Sequence, residues 1–317
     1  MTRFILRRVL QTLLVLLVMS LVIYSLIGLM PGDPIDVMVA SNPNIAPDVA
    51  EKLRKIYGLD QPLLLRYWHW LLSALGGDLG YSRTHSQPVL HMLLPALGQT
   101  CKLMIASFVV SVVLSFALGI AAARKPGGMV DGIISLVAFA GISVPVFWLA
   151  LMMILVFAVE LHWFPASGIA TVGDGGLRDQ LMHLVMPVAT LALATTGGFT
   201  RYVRASMIEV LRLDLVRTAR AKGASEFRVV MVHAFRNALI PVVTIMALSF
   251  GVLFNGALLT ETMFAQPGMG KMIYDAILGN DFNLALSGLL FATLVTLLSN
   301  LAADLAYGWL DPRIALQ

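Results

Sequence analysis

The residues best placed to do chemistry lie between Arg201 and Arg236. That stretch carries eight Lys or Arg residues, Arg201, Arg204, Arg212, Arg217, Arg220, Lys222, Arg228 and Arg236, against three acids, Glu209, Asp214 and Glu226. Its surplus of five positive charges exceeds the +4 of the whole chain. Apolar residues recur at helical spacing on both sides of Gly223: Met207, Val210 and Leu211 before it, Phe227, Val230 and Met231 after it. Glycine accepts positive φ and suits the corner between two short helices. A helix–glycine–helix with apolar faces and cationic flanks has the chemistry of a docking element. Its charges would pair with acids on a partner and add specificity more than affinity. A loop that only sets membrane topology needs the charges but not the paired apolar faces.

The remaining chemistry-bearing residues give little support for catalysis. The six histidines (His69, His85, His91, His162, His183, His233) show neither HExxH nor paired metal spacing, and no GxSxG occurs. A single cysteine excludes a disulfide scaffold and a Cys-rich metal site. PGMGK at Pro267 to Lys271 has the look of a phosphate loop. It fails the GxxxxGK[ST] template, with Ala265 at the first glycine and Met272 at the Ser/Thr. Neither a cofactor nor a nucleotide site is expected, so any ATP chemistry belongs to another chain. Asp304 is the costliest residue within an apolar run. Asn300 one turn before it, with Tyr307 and Gly308 after it, favours local structural pairing over a proton or ion relay. Other acids near apolar runs, Asp131 and Glu160, sit at their ends, and this scarcity argues against an ion-coupled carrier.

These residues must be positioned by membrane helices. Of 317 residues, 58% are hydrophobic and 13% charged, and the mean hydropathy is +0.84. A soluble domain carries about 25% charged residues. The basic residues cluster at the ends of apolar runs, where topology explains them better than nucleic acid does. Residues 1–30 combine Arg3, Arg7 and Arg8 with an apolar run long enough to cross a bilayer. Residues 31–95 form an external region. In it, PDVAEKLRKI from Pro47 reads as a short amphipathic helix, and the run around Tyr67, Trp68 and Trp70 reads as an interfacial one.

Residues 96–309 hold five further spans, near 97–123, 130–161, 182–199, 238–260 and 284–307, with the basic loop at 205–237; a tail follows at 310–317. Gly141, Ser143 and Pro145 predict a kink in the over-long third span. The expected fold is all-α and polytopic, with six spans and both termini cytoplasmic, since the basic clusters then fall on one side. The polar residues expected to line a path are Ser143, Thr195, Thr196, Ser249 and Asn255.

Several short patterns occur in order along the chain. They are LRR (from Leu6), PGDP (from Pro31), GDLGYS (from Gly77), RTARAKG (from Arg217), HAFRNALIPV (from His233), ETMFAQPGMG (from Glu261) and DPRI (from Asp311). On these the whole chain resembles the membrane permease of a bacterial ABC importer of the dipeptide, oligopeptide and nickel class. The resemblance implies a type I importer permease fold in the cytoplasmic (inner) membrane. It also implies a second homologous permease, two cytoplasmic ATP-binding subunits and an external solute-binding protein as partners. The imported solute would be a di- or oligopeptide, or alternatively a nickel chelate or a glutathione- or opine-type compound.

In such permeases an EAAxxxG-type motif forms a coupling helix that sits in a groove of the ATPase. Here Arg217, Thr218 and Ala219 take the EAA positions and Gly223 the glycine, with Arg220, Ala221 and Lys222 between them. The sequence departs from the general pattern in three places. Arg217 replaces the acid, His233 to Arg236 stand where many permeases have IxLP, and Asn280 replaces an arginine before Asp281.

Overall fold

Lipid offers no hydrogen bonds, so an apolar run that crosses it satisfies its peptide groups most cheaply as an α-helix. The computed structural model describes residues 2–29, 35, 39, 46–56, 60–251 and 253–310. The turn at Pro31 to Pro34 and the tail from Asp311 lie outside the described residues. Long helices dominate: α1 (Thr2–Gly28), α4 (Val89–Ala123), α7 (Leu177–Leu211) and α12 (Phe282–Leu310). Shorter elements fill the gaps. They are α2 (Pro47–Ile56), α3 (Leu63–Leu75), α5 (Met129–Ser143), α6 (Val146–Met153) and α8 (Asp214–Ala221). A wide-wound π segment, Ile154–Glu160, prolongs α6. After α8, Glu226–Arg228 and a second π segment, Val229–Ala234, lead into α9 (Phe235–Phe250). The last two are α10 (Leu253–Met263) and α11 (Met269–Leu278). Extended pairing among the described residues is limited to isolated bridges, Tyr81 with Pro88 and Thr171 with Asp174.

Four stretches are long and apolar enough to cross a membrane, Ile5–Gly28, Val89–Ala123, Leu177–Leu211 and Phe282–Ala302. The expected kink at Pro145 is a turn of 102° between the Met129–Ser143 and Val146–Glu160 stretches. Val144, pushed out of helical geometry by the following proline, is extended. The expected fifth span is divided at Gly251 into α9 and α10. The fourth span is far longer than the 182–199 expected. Arg, Met and Glu are good helix formers, so the charges from Arg201 onward do not end the helix, which runs on to Leu211.

The helix α4 turns a stripe of small residues, Thr100, Ser107, Ser111, Ser115 and Gly119, inward, all of them buried. Such residues let backbones approach closely in a bilayer. A Cβ on Gly119 would lie 2.6 Å from Val203 of α7, and one on Gly197 would run into the Ala138 carbonyl of α5. The helix α1 is tied to α3 and α12. Ser20 and Tyr67 share a 2.8 Å hydrogen bond, and Tyr24, Tyr67 and Trp70 cluster. The aromatic helix α3 therefore turns Tyr67 and Trp70 onto α1 and leaves Trp68 exposed. Asp304 is paired, as expected, but its partner is Arg8 of α1 at 3.2 Å, not its own helix.

Gly197 and Gly198 provide a matched test, because a Cβ at Gly198 meets nothing within 4 Å. Gly197→Ala is expected to destabilise the chain by about 1–3 kcal/mol through overpacking. Gly198→Ala is expected to be neutral or stabilising, because alanine is the better helix former. Thermal unfolding of the detergent-solubilised variants distinguishes them.

Candidate functional site

The basic stretch folds differently from its apolar periodicity. Met207, Val210 and Leu211 belong to the end of α7, and the helix that precedes Gly223 is α8. Val216 and Ala219, three residues apart on α8, are buried with Met207, Val210, Val229, Val230 and Ala234 in one apolar cluster. After the glycine, Val230 is buried as expected, whereas Phe227 is 76% exposed and Met231 is also exposed. Gly223 ends α8 at φ +79 in a Schellman motif. Its N–H reaches the Arg220 carbonyl and the Ala224 N–H reaches that of Ala219.

Of the seven residues expected to couple, Ala219 faces its own chain, while Arg217, Thr218, Arg220, Ala221, Lys222 and Gly223 are exposed. Apart from its chain neighbours, no described atom lies within 4 Å of a Cβ built on Gly223, although its φ of +79 would strain any side chain there. Arg217 pairs with Asp214 at 3.1 Å and Arg220 with Glu226 at 2.8 Å. The Arg220 guanidinium hydrogen-bonds the Glu226 carboxyl and holds it below the usual carboxylate range. Exposed pairs of this kind contribute little stability, so they leave the face free to exchange partners.

A cavity of about 890 Å³ opens between α5, α7 and the α9–α10 junction. Thr195 and Ser249 line it, with Phe139, Arg201, Tyr202 and Arg204. Two other expected path residues do not. Thr196 is buried with its hydroxyl on the Ala192 carbonyl, and Ser143 is exposed away from the lining with its hydroxyl on Phe139. The side chain of Asn255 lies outside the described residues. The Arg201 guanidinium stacks on the Phe139 ring at 4.5 Å.

Arg204 binds Asp131 in a fork, at 2.5 and 2.7 Å, and the Gly127 N–H adds a third bond at 2.8 Å. Asp131 is 4% exposed. Sequence reasoning placed it at a span end and missed this pairing. The one local signal was an acid in the first turn of a helix after two glycines.

Two further carboxylates knit the opposite end. Glu261, just past the expected end of the fifth span, is buried at the end of α10. It accepts the Thr100 hydroxyl at 2.5 Å and the backbone N–H groups of Gly270 at 2.8 Å and Lys271 at 3.2 Å. PGMGK is thus an anion cradle at the start of α11, filled by the chain's own carboxylate. A Cβ at Gly268 or Gly270 would collide with Glu261.

Asp281 accepts the Ser82 hydroxyl at 2.6 Å, the Thr84 hydroxyl at 2.7 Å and the Thr84 N–H at 3.0 Å. A guanidinium does reach this turn although residue 280 is Asn, because Arg83 donates to the Gly279 carbonyl. Ser82, His85 and Asp281 do not form a nucleophile relay. His85 Nδ1 lies 3.2 Å from the Ser82 hydroxyl and 2.8 Å from that of Thr84, but both hydroxyl protons are directed to Asp281.

Family models match the chain from end to end. "Binding-prot-dependent transport system membrane comp, N-term" covers residues 1–114, and "Binding-protein-dependent transport system inner membrane component" covers residues 115–316. The oligopeptide transport system permease protein AppB of Bacillus subtilis is 34% identical over 99% of each chain. The di/tripeptide transport system permease protein DppB of Pseudomonas aeruginosa is 37% identical over 94% of each. An inward-facing structure of the MetNI methionine ABC transporter superposes with a TM-score of 0.58 at 16% identity, covering 70% of this chain and 97% of that one. That likeness shows the fold.

The two carboxylates generate separate expectations. Glu261→Gln places an amide against N–H donors and is expected to cost about 2 kcal/mol in thermal unfolding. For Asp281, burial pushes the carboxyl up, but the hydrogen bonds from Ser82 and Thr84 outweigh it and the net shift is downward. A lowered folded value means the stabilisation is complete above the unfolded aspartate pKa, about 3.9, and is lost as pH falls through the folded value. Hydrogen exchange at residues 82–89 is expected to keep its protection down to about pH 4 and to lose it below. In Asp281→Asn the protection is expected to be weak already at neutral pH and insensitive to acid.

Proposed function

The chain belongs to the binding-protein-dependent transport system inner membrane component family. On that premise we propose that it is one of two permease subunits forming the pathway of an ATP-driven importer of di- or oligopeptides or a similar small solute. Its six spans would be α1, α4, the bent α5–α6 pair, α7, the divided α9–α10 pair and α12. Both termini would face the cytoplasm of a bacterium, with the chain in its inner membrane. The clusters Arg7/Arg8, Arg124/Lys125 and the 201–236 stretch would then share one side. A homologous permease, two ATPase subunits and an external binding protein complete the machine. The peptide substrate is inferred from relatives whose own names specify oligopeptides and di- or tripeptides.

The observation that carries this reading is the seating of α8. Val216 and Ala219 bury one face in the same cluster as the end of α7, while Thr218, Ala221 and Lys222 stay exposed for a partner. A force applied to that exposed face is delivered to α7, and α7 lines the cavity with Thr195, Arg201 and Arg204. ATP binding would close the ATPase pair, shift α8 and re-orient the cavity between the two sides of the membrane. Thr195 and Ser249 support the path reading by position; Ser143 and Thr196 do not.

Affinity purification from the native membrane in mild detergent tests the assignment. Recovery of an ATPase and a second membrane subunit, with vanadate-sensitive ATP hydrolysis, is expected. A lone chain that moves solute without ATP would contradict it. Gly223→Trp strains the left-handed corner at φ +79 as well as crowding the exposed face. That corner lies outside the long apolar helices, so the membrane core should still fold while ATP hydrolysis is uncoupled from uptake by about tenfold or more. Normal uptake by this variant would refute the docking role. Arg217→Gln should have a smaller effect in the same direction, because Arg217 is already paired with Asp214.

A further inference from the structure

The cavity has a polarity that its apolar walls conceal. Arg204 is neutralised by Asp131, but Arg201 is not: its contact is the Phe139 ring, and no acid lies within ion-pair distance of it among the described residues. The cavity is also lined by Ile142, Val146 and Leu253. Arg201 is itself exposed, so its charge is open to an anion entering the cavity.

The hydroxyls point the opposite way. The single Thr195 proton is shared between the carbonyls of Leu191 and Ala192, at 3.1 and 3.0 Å, and Ser249 donates to the Ile245 carbonyl at 2.8 Å. With their protons engaged on their own helices, these hydroxyls offer only lone pairs to the cavity. One part of the lining therefore presents a positive fork and another presents acceptors alone. The cavity's 890 Å³ lies within the range of small-molecule sites, about 300–1,000 Å³.

We propose that this cavity is a transit site for a zwitterionic solute, whose carboxylate is held by Arg201 and whose N–H groups meet the lone pairs of Thr195 and Ser249. The proposal rests on the reading of the cavity as part of the path. It assigns the permease a selectivity of its own, for a free carboxyl terminus, in addition to that of any external binding protein. An acid from a second permease seated on Arg201 is the competing occupant, and it predicts no discrimination at the carboxyl end.

The test uses the complete transporter in proteoliposomes, with Cys101→Ala and Ala194→Cys in this chain, because Ala194 lines the cavity without supplying a polar group. Labelling of position 194 by a membrane-permeant thiol reagent is followed in the presence of trialanine or trialanine amide. The affinity of the binding protein for each peptide is measured separately and factored out. Trialanine should protect position 194 at concentrations about tenfold lower than its amide, the size of a charged hydrogen bond. Arg201→Gln should abolish that difference, and Arg201→Lys should retain part of it. Equal protection by both peptides overturns the carboxylate assignment and leaves the path intact. Protection by neither overturns the path reading itself. If Arg201→Gln does not assemble, the comparison of the two peptides on the Arg201 protein decides the matter alone.

Discussion

The close packing of α7 against α4 is the constraint on which the other elements depend. At 35 residues, α7 is about 50 Å long, longer than the roughly 30 Å hydrocarbon core. Small residues on α4 and Gly197 on α7 bring neighbouring backbones close together, and Pro187 removes one hydrogen bond from the interior of α7. The same helix holds the loop at Ser167 and Gly168 through His183, lines the cavity through Thr195 and Arg201, grips α5 through Arg204 and joins the α8 cluster through Met207 and Val210. These attachments place the basic end, the cavity lining and the grip on α5 on one continuous helix.

Polar groups within this frame are satisfied by the chain itself, and that determines how the frame is closed. Asp131 joins α5 to α7, Glu261 joins α10 and α11 to α4, and Asp281 joins the start of α12 to the loop before α4. Of the three, only Asp131 is an ion pair, which adds little net stability over a well-packed apolar pair but is costly to break from one side. Glu261 and Asp281 are held by hydroxyl and backbone N–H donors, which would be left unsatisfied if the carboxylate were lost. The Glu261 cradle shows the economy of the arrangement. The start of α11 binds an anion as helix starts do, and the anion comes from the helix just before it.

Much of this was legible in the sequence, and the unread part has a common physical cause. Apolar run length located the membrane helices, proline at 145 the bend, and Gly223 the corner, because each is a local property of backbone and solvent. The α2 helix matches its expected bounds, Pro47–Ile56, for the same reason. The end of α7 was misplaced because charge ends the apolar run while helix propensity continues past it. The Asp131–Arg204 pair spans 73 residues, and the Ser82–Asp281 bond spans 199. No periodicity encodes such partners. Among the path residues, Thr195 and Thr196 are adjacent, yet only one reaches the cavity. A helix turns about 100° per residue, and which side faces the cavity is set by tertiary packing.

The central claim is that the exposed face of α8 sits on an ATP-hydrolysing partner. Thr218 lies on that face, solvent-exposed and clear of the buried Val216 and Ala219. The most direct measurement replaces Thr218 with cysteine in the assembled complex and applies a short bifunctional cross-linker with and without a non-hydrolysable ATP analogue. A cross-link to the ATPase subunit, with a yield that changes when the analogue binds, is the expected result. An intact complex in which position 218 never reaches the ATPase would contradict the claim.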